Sequence, residues 1–229
     1  MTPNVYDYVA WDVATWSRPL RYWEKYIGEK KDFSGKCGLE VGANMGGLSL
    51  FFARQFGCQM LCTDYIFPEK AKDFHQRFNL SIPIDYMQVD VQQIPFSDAS
   101  FDFVVFKSML GVVGSHGRNE QIEMAIKEMR RVLKPGGILF FAENLKGSAL
   151  HSSARSRFIT WGNNWHYLSL PEINQLLRGF SSNEVYTTGF LAAFVPRPKW
   201  LKSFFAWCDQ CLFFIPAKWQ YVAYGHAVK

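Results

Sequence analysis

A chain of 229 residues suits one domain with a full hydrophobic core, and 48% hydrophobic against 20% charged residues excludes a disordered chain. The net charge of +5, from 25 basic and 20 acidic residues, is scattered, and no Lys/Arg run interleaves with base-stacking aromatics, which excludes a nucleic-acid binder. Mild basicity fits a cytosolic protein, or one that touches anionic lipid or an acidic substrate.

The five cysteines (Cys37, Cys58, Cys62, Cys208 and Cys211) are odd in number and follow no secretory signal, so no disulfide framework is expected. Cys208 and Cys211 form a CxxC pair inside an aromatic, helix-like stretch, without a second pair for zinc or a preceding strand for redox chemistry. A structural role is expected for them. No apolar stretch reaches the roughly 18 residues of a membrane span. A cytoplasmic location is expected, with peripheral contact at the inner face of the membrane as a further reading.

In chain order, residues 5–31 carry Tyr6, Tyr8, Trp11, Trp16, Tyr22, Trp23 and Tyr26 at spacings that predict one or two amphipathic helices, an aromatic cap over residues 1–35. Residues 37–41 read as a strand running into a Gly-rich turn, and 48–56 as a helix. A strand at 58–62, a helix at 69–78 and a strand at 84–89 follow. The apolar run Phe101–Phe106 marks a strand buried on both faces. Ile122, Ala125, Ile126, Met129, Val132 and Leu133 give residues 119–133 helical periodicity, which ends at Lys134-Pro135-Gly136-Gly137. Residues 138–142 form a fifth strand. After a loose stretch over 146–168 come a helix at 171–177, a strand at 183–188, an aromatic helix at 197–215 and a last strand at 220–228. Alternating strands and helices predict a doubly wound α/β fold with a mostly parallel, seven-stranded sheet. The main domain is expected over 36–229, with a C-terminal helical insertion at about 191–218.

The strongest local signal is Leu39-Glu40-Val41-Gly42-Ala43-Asn44-Met45-Gly46-Gly47, a strand, a glycine turn and then a helix N-terminus. Two ligands half-fit it. As a dinucleotide fingerprint it has Asp64 at a suitable distance for a ribose, but Asn44 replaces the glycine that lets a backbone approach a pyrophosphate. Asn tolerates positive φ, so the turn survives and the close approach does not. A ligand without a pyrophosphate loses nothing by the replacement.

In this the chain resembles the class I S-adenosylmethionine-dependent methyltransferases, whose first strand ends in an acid ahead of G-x-G-x-G; Glu40, Gly42, Asn44 and Gly46 fill those places. Asp90 to Asp102 (DVQQIPFSDASFD) is similar to the type 11 pattern D-x-x-x-x-P-F-x-x-x-S-F-D, and Glu128 to Gly137 also resembles the family, in a scaffolding role. The resemblance covers 36–145 well and 165–190 loosely. It implies a Rossmann-like methyltransferase fold and S-adenosylmethionine as methyl donor. It implies that Glu40 faces the donor's ammonium and that the Gly42–Gly47 backbone, with Ala43, wraps its methionine and ribose. Asp64 would accept the ribose hydroxyls, Tyr65 would stack on adenine, and Asp90 and the Val91 N–H would read the adenine edge. Lys107 leaves the fourth strand at the ligand-binding edge and belongs to the same set.

Methyl transfer needs alignment and water exclusion, and a base only for a protonated acceptor. Of His75, His116, His151, His166 and His226, the candidates are His151 and His116, which follow the fifth and fourth strands. No metal site is expected, because a lysine, not a carboxylate cluster, ends the fourth strand. Trp11, Trp16 and Trp23 are candidates for a donor cap, since aromatic faces attract sulfonium-like cations. The 197–218 segment fits three roles: packing on the sheet, a lid, or a membrane-surface helix flanked by Arg197, Lys199, Lys202 and Lys218. The ending Ile215 to Gly225 looks like methyltransferases found among bacterial surface-polysaccharide genes, which implies O-methylation of a saccharide or lipid-linked glycan hydroxyl. A small aromatic, quinone-like or natural-product acceptor, a silent donor-binding module and a nicotinamide-dependent oxidoreductase are the alternatives.

Overall fold

A computed structural model describes residues 4–9, 12–30, 32–158, 164–195, 198–212 and 214–229. Its elements run α1 (Val5–Tyr8), α2 (Val13–Lys30), β1 (Cys37–Val41), α3 (Gly47–Phe56), β2 (Gln59–Asp64), α4 (Glu69–His75), β3 (Ile84–Gln88), β4 (Phe101–Lys107), α5 (Leu110–Val113), α6 (Asn119–Val132), β5 (Leu133–Asn144), α7 (Ala149–Phe158), α8 (Leu170–Leu176), β6 (Ser182–Thr188), α9 (Lys199–Cys211) and β7 (Val222–Val228). The seven strands form one sheet in the order β3-β2-β1-β4-β5-β7-β6. Only β7 runs against its neighbours, pairing antiparallel with β5 and with β6.

The central strands are apolar throughout because both faces are covered. Phe103, Val105, Ile138 and Phe140 enter one core with Trp16, Trp23 and Phe52; Val104, Phe106, Leu139 and Phe141 enter the other with Ile126 and Met129 of α6. Trp23 is fully buried and donates its indole N–H to the Gly225 carbonyl, so α2 is built into the core of its face. Trp16 is buried as well. Both positions correct the expectation that these tryptophans cap the donor; Trp11, like Trp161, Gly162, Asn163, Arg197 and Phe213, lies outside the described residues.

Several boundaries differ from the sequence reading. β5 begins at Leu133, which pairs with Phe101, and a register shift absorbs the residues up to Ile138. The glycines there are held by the chain end, with Gly136 N–H donating to the Lys229 carbonyl and Lys229 N–H to Gly137. α4 stops at His75 and α9 at Cys211, earlier than periodicity alone suggests.

Because Thr188 pairs with Val222, and Val222 with Asn144, the end of β6 lies on the same sheet edge as the carboxyl ends of β5 and β4. The donor-type loop after β1 and the segment leading into α9 therefore share one edge. No helix of the described residues is long and apolar enough to cross a membrane.

Candidate functional site

At the end of β1 the chain must turn sharply into α3, and the backbone shows how. Gly42, Asn44 and Gly46 all adopt positive φ, at 65°, 50° and 68°. A Cβ on Gly42 would meet Met109 Cγ at 2.5 Å, and one on Gly47 would meet the Tyr8 carbonyl oxygen at 2.3 Å. Asn44 thus supplies the left-handed turn at a position where a side chain is tolerated.

Support comes from His75, which neither motif nor spacing revealed. Its Nε2–H donates to the Gly46 carbonyl at 2.9 Å, and its Nδ1 accepts from Tyr86 Oη at 2.8 Å. Burial holds this imidazole below its usual pKa, so it stays neutral and fixed in one tautomer. Replacing His75 with Phe removes two hydrogen bonds, one to the Gly46 carbonyl, which keeps the Leu50 N–H, and one to the half-buried Tyr86 hydroxyl, an expected loss of about 1–3 kcal/mol in urea unfolding. An unchanged unfolding midpoint would show that the loop is held by other means.

Two cavities meet at Gly42. The larger, about 550 Å³, is bordered by Asp64, Tyr65, Asp90, Val91, Gln92 and Arg118, among others. Asp64 Oδ2 accepts the Asn44 N–H at 2.7 Å and its Oδ1 accepts the Tyr65 N–H at 2.7 Å, tying the end of β2 to the glycine loop. Asp90 Oδ1 accepts the Gln92 N–H at 2.9 Å. The segment after Asp90 is held by the family-like block of α6: Arg131 donates to the Ile94 and Phe96 carbonyls, and Glu128 accepts the Ile94 N–H. That gives the Glu128-Met129-Arg130-Arg131 stretch a concrete scaffolding task. Tyr65 is 67% exposed at the cavity rim.

The smaller cavity is bordered by Glu40, Ala43, Asn44 and Lys107, with Asp7 and Tyr8 of α1 closing it. Glu40 is buried and its Oε2 accepts both the N–H and the hydroxyl of Ser49, at 2.7 and 2.5 Å. Burial pushes the Glu40 carboxyl up to about 7, against the pull of Ser49. Lys107 ends β4, with its ammonium 5.0 Å above the Trp16 ring; loss of water drives it down to about 7, opposed by Glu40 and Glu143. Glu143, pushed up to about 7 by burial, accepts the Met109 and Leu110 N–H groups and so fixes the turn after β4. All ten residues expected at the donor site border one cavity or the other except Gly46, whose carbonyl is engaged by His75.

The expected catalytic histidines fare differently. His151 is buried, with Nε2–H donating to the Phe190 carbonyl at 2.9 Å and Nδ1 facing the Ser148 hydroxyl at 2.7 Å. Both ring nitrogens are thus engaged in tying α7 to the segment before α9, which corrects the expectation of a base there. His116 is exposed, in a left-handed turn at φ 59°, and borders neither cavity; its Nδ1 faces Ser115 Oγ at 3.3 Å. Chain proximity to a strand end put both forward, and the local turn carries each away. Among the described residues no group of His, Cys, Asp and Glu is arranged to hold a metal ion.

Residues 39–141 match the family described as "Methyltransferase domain". Over 112 residues, 49% of this chain and 41% of the relative, the sequence is 34% identical to a protein of Mycobacterium ulcerans named probable phthiotriol/phenolphthiotriol dimycocerosates methyltransferase 2. It is 31% identical to the fatty-acid O-methyltransferase of Mycolicibacterium smegmatis, over 49% of this chain and 38% of that one. The chain therefore spans about two-fifths of the length of these relatives. In fold it is similar to Haemonchus contortus phosphoethanolamine N-methyltransferase 2 solved with S-adenosylhomocysteine, at a TM-score of 0.64 and 17% identity, covering 93% of this chain and 52% of the other. Residues 39–141 thus match a methyltransferase domain, and the seven-stranded sheet with the glycine loop at its carboxyl edge has the fold of the class I S-adenosylmethionine-dependent methyltransferases.

Proposed function

We propose that the protein binds S-adenosylmethionine across the two cavities and transfers its methyl group to a hydroxyl oxygen of a saccharide carried on a lipid. The observation that carries the donor half is the charge layout. The smaller cavity offers a buried carboxylate, Glu40, and an ammonium, Lys107, which together match the ammonium and carboxylate of an amino-acid tail, with the Asp7 carboxylate also on its border. The larger one offers Asp64 and Asp90, acceptors for ribose hydroxyls and an exocyclic amine, and Tyr65 as a stacking face. A nicotinamide dinucleotide has no such zwitterion, and Asn44 stands where its pyrophosphate needs a bare backbone.

When bound, S-adenosylmethionine supplies a methyl group on a sulfonium leaving group. The protein's part is to orient and to exclude water: Glu40 and Lys107 fix the tail, Asp64 and Asp90 fix the nucleoside, and Asp7 and Tyr8 close the loop side. Neither histidine candidate is assigned as a base. On a hydroxyl acceptor the methyl's bond to sulfur would break as its bond to oxygen forms, and the hydroxyl proton would leave to bulk solvent at the mouth of the site.

Two relatives named for a dimycocerosate and for a fatty acid support a lipid-borne acceptor, as does the exposure of α9 on the donor edge. The test is incubation with methyl-labelled S-adenosylmethionine and separate pools of lipid-linked glycans, nucleotide sugars, fatty acids, phenols and amines. Label in an alkali-stable ether on the lipid-linked glycan is the expected result. Label in an alkali-labile ester, or in an amine or phenol only, would replace this acceptor class with another.

A further inference from the structure

We propose that α9 and the turn after it are a docking face for an anionic phospholipid bilayer. The helix is pinned from its inner side. Asp209, buried, accepts the N–H groups of Phe190, Leu191 and Ala192; Arg18 donates to the Ala206 carbonyl at 2.7 Å; Lys202 pairs with Asp12 at 3.4 Å. These bonds fix which side faces out.

That outer side is aromatic. Trp200, Phe204 and Trp207 recur at helical spacing and are 71%, 51% and 58% exposed, and after the helix Phe214 and Trp219 are 67% and 43% exposed. In contrast, Trp16 and Trp23 are buried. Exposed indoles beside other aromatics are suited to the headgroup level of a membrane, where an apolar body and a polar N–H both find partners.

Charge selects the bilayer over another protein copy. Of the basic residues between 197 and 220, Lys218 is exposed in the turn after α9, Lys202 is turned inward to Asp12, and Arg197 and Lys199 stand at the start of the helix in the sequence; the one acid, Asp209, is buried on the inner side. A second copy would bring the same basic flanks and repel them, whereas anionic headgroups complement them. Since α9 follows the end of β6 on the donor edge, docking would bring that edge to the lipid surface. The proposal stands on this face alone and does not need the acceptor assignment.

The test is co-sedimentation of the full chain with phosphatidylcholine vesicles, with and without phosphatidylglycerol, alongside tryptophan emission. Expected are binding to the anionic vesicles, a blue shift in emission, weakening by salt, and at least about tenfold weaker partitioning for Trp200→Ala/Phe204→Ala/Trp207→Ala. Lys218→Glu, away from any packing of α9, should weaken binding by a smaller factor and guards against a folding artefact in the triple variant. Donor binding should be kept in both variants. No pelleting with anionic vesicles, equal pelleting of wild type and both variants, or a dimer in light scattering that the triple variant abolishes would overturn the proposal.

Discussion

Donor affinity is expected to pass through a maximum near pH 7 and to fall on both sides. The sign follows from the two groups in the smaller cavity. Glu40 is raised to about 7, so below that pH it is protonated and no longer meets the donor's ammonium as a carboxylate. Lys107 is lowered to about 7, so above that pH it is neutral and no longer meets the donor's carboxylate as a cation. Each limb should approach about tenfold per pH unit once its group has titrated. Glu40→Gln should lower affinity at pH 7 and flatten the acid limb; Lys107→Met should lower it and remove the Lys107 part of the alkaline limb. The donor's own α-amine also titrates around pH 8, which makes the difference between wild type and Lys107→Met the informative quantity. Removing one partner of a desolvated charge pair costs about 3–5 kcal/mol, so a loss of roughly 100-fold or more is expected for each variant. Titrations in buffers from pH 5.5 to 9 would show this, and a flat profile in wild type would remove Glu40 and Lys107 from the donor site.

The second large effect concerns the nucleoside cavity. Asp90→Ala removes an acceptor whose position is held by the Gln92 N–H, and Asp64→Ala removes one that also anchors the glycine loop through Asn44. A charge-assisted hydrogen bond contributes about 1.5–3 kcal/mol, so each substitution should weaken donor binding roughly tenfold to 150-fold. Asp64→Ala should in addition lower thermal stability, because the Asn44 and Tyr65 N–H groups lose their acceptor. Asp90→Ala should lower stability too, through loss of the acceptor for the Gln92 N–H. Equal affinity in wild type and both variants would place the donor elsewhere.

Which features were legible in the sequence follows from how local their physics is. The glycine loop is local: Asn44 at positive φ, between glycines of the same hand, reads from residue type alone. The two-faced burial of β4 shows in an apolar run with no alternation. The reach of α2 into the core does not show, because Trp23 bonds to Gly225, some two hundred residues on, and nothing in its neighbours announces that. His75 looked like one more helix histidine, and its bond to Gly46 exists only once α4 packs beside the loop. His151 and His116 failed as candidates because chain proximity to a strand end says nothing about where a side chain turns. Glu143, at the end of β5, escaped notice for the related reason that its partners, Met109 and Leu110, sit on the neighbouring strand's exit.

The account turns on which nucleotide the Gly42–Gly47 loop holds. Isothermal titration of the full chain at pH 7 with S-adenosylmethionine and, separately, with NAD decides it. S-adenosylmethionine should bind with one site per chain, and NAD should give no saturable heat. Saturable binding of NAD, with none for S-adenosylmethionine, would contradict the account.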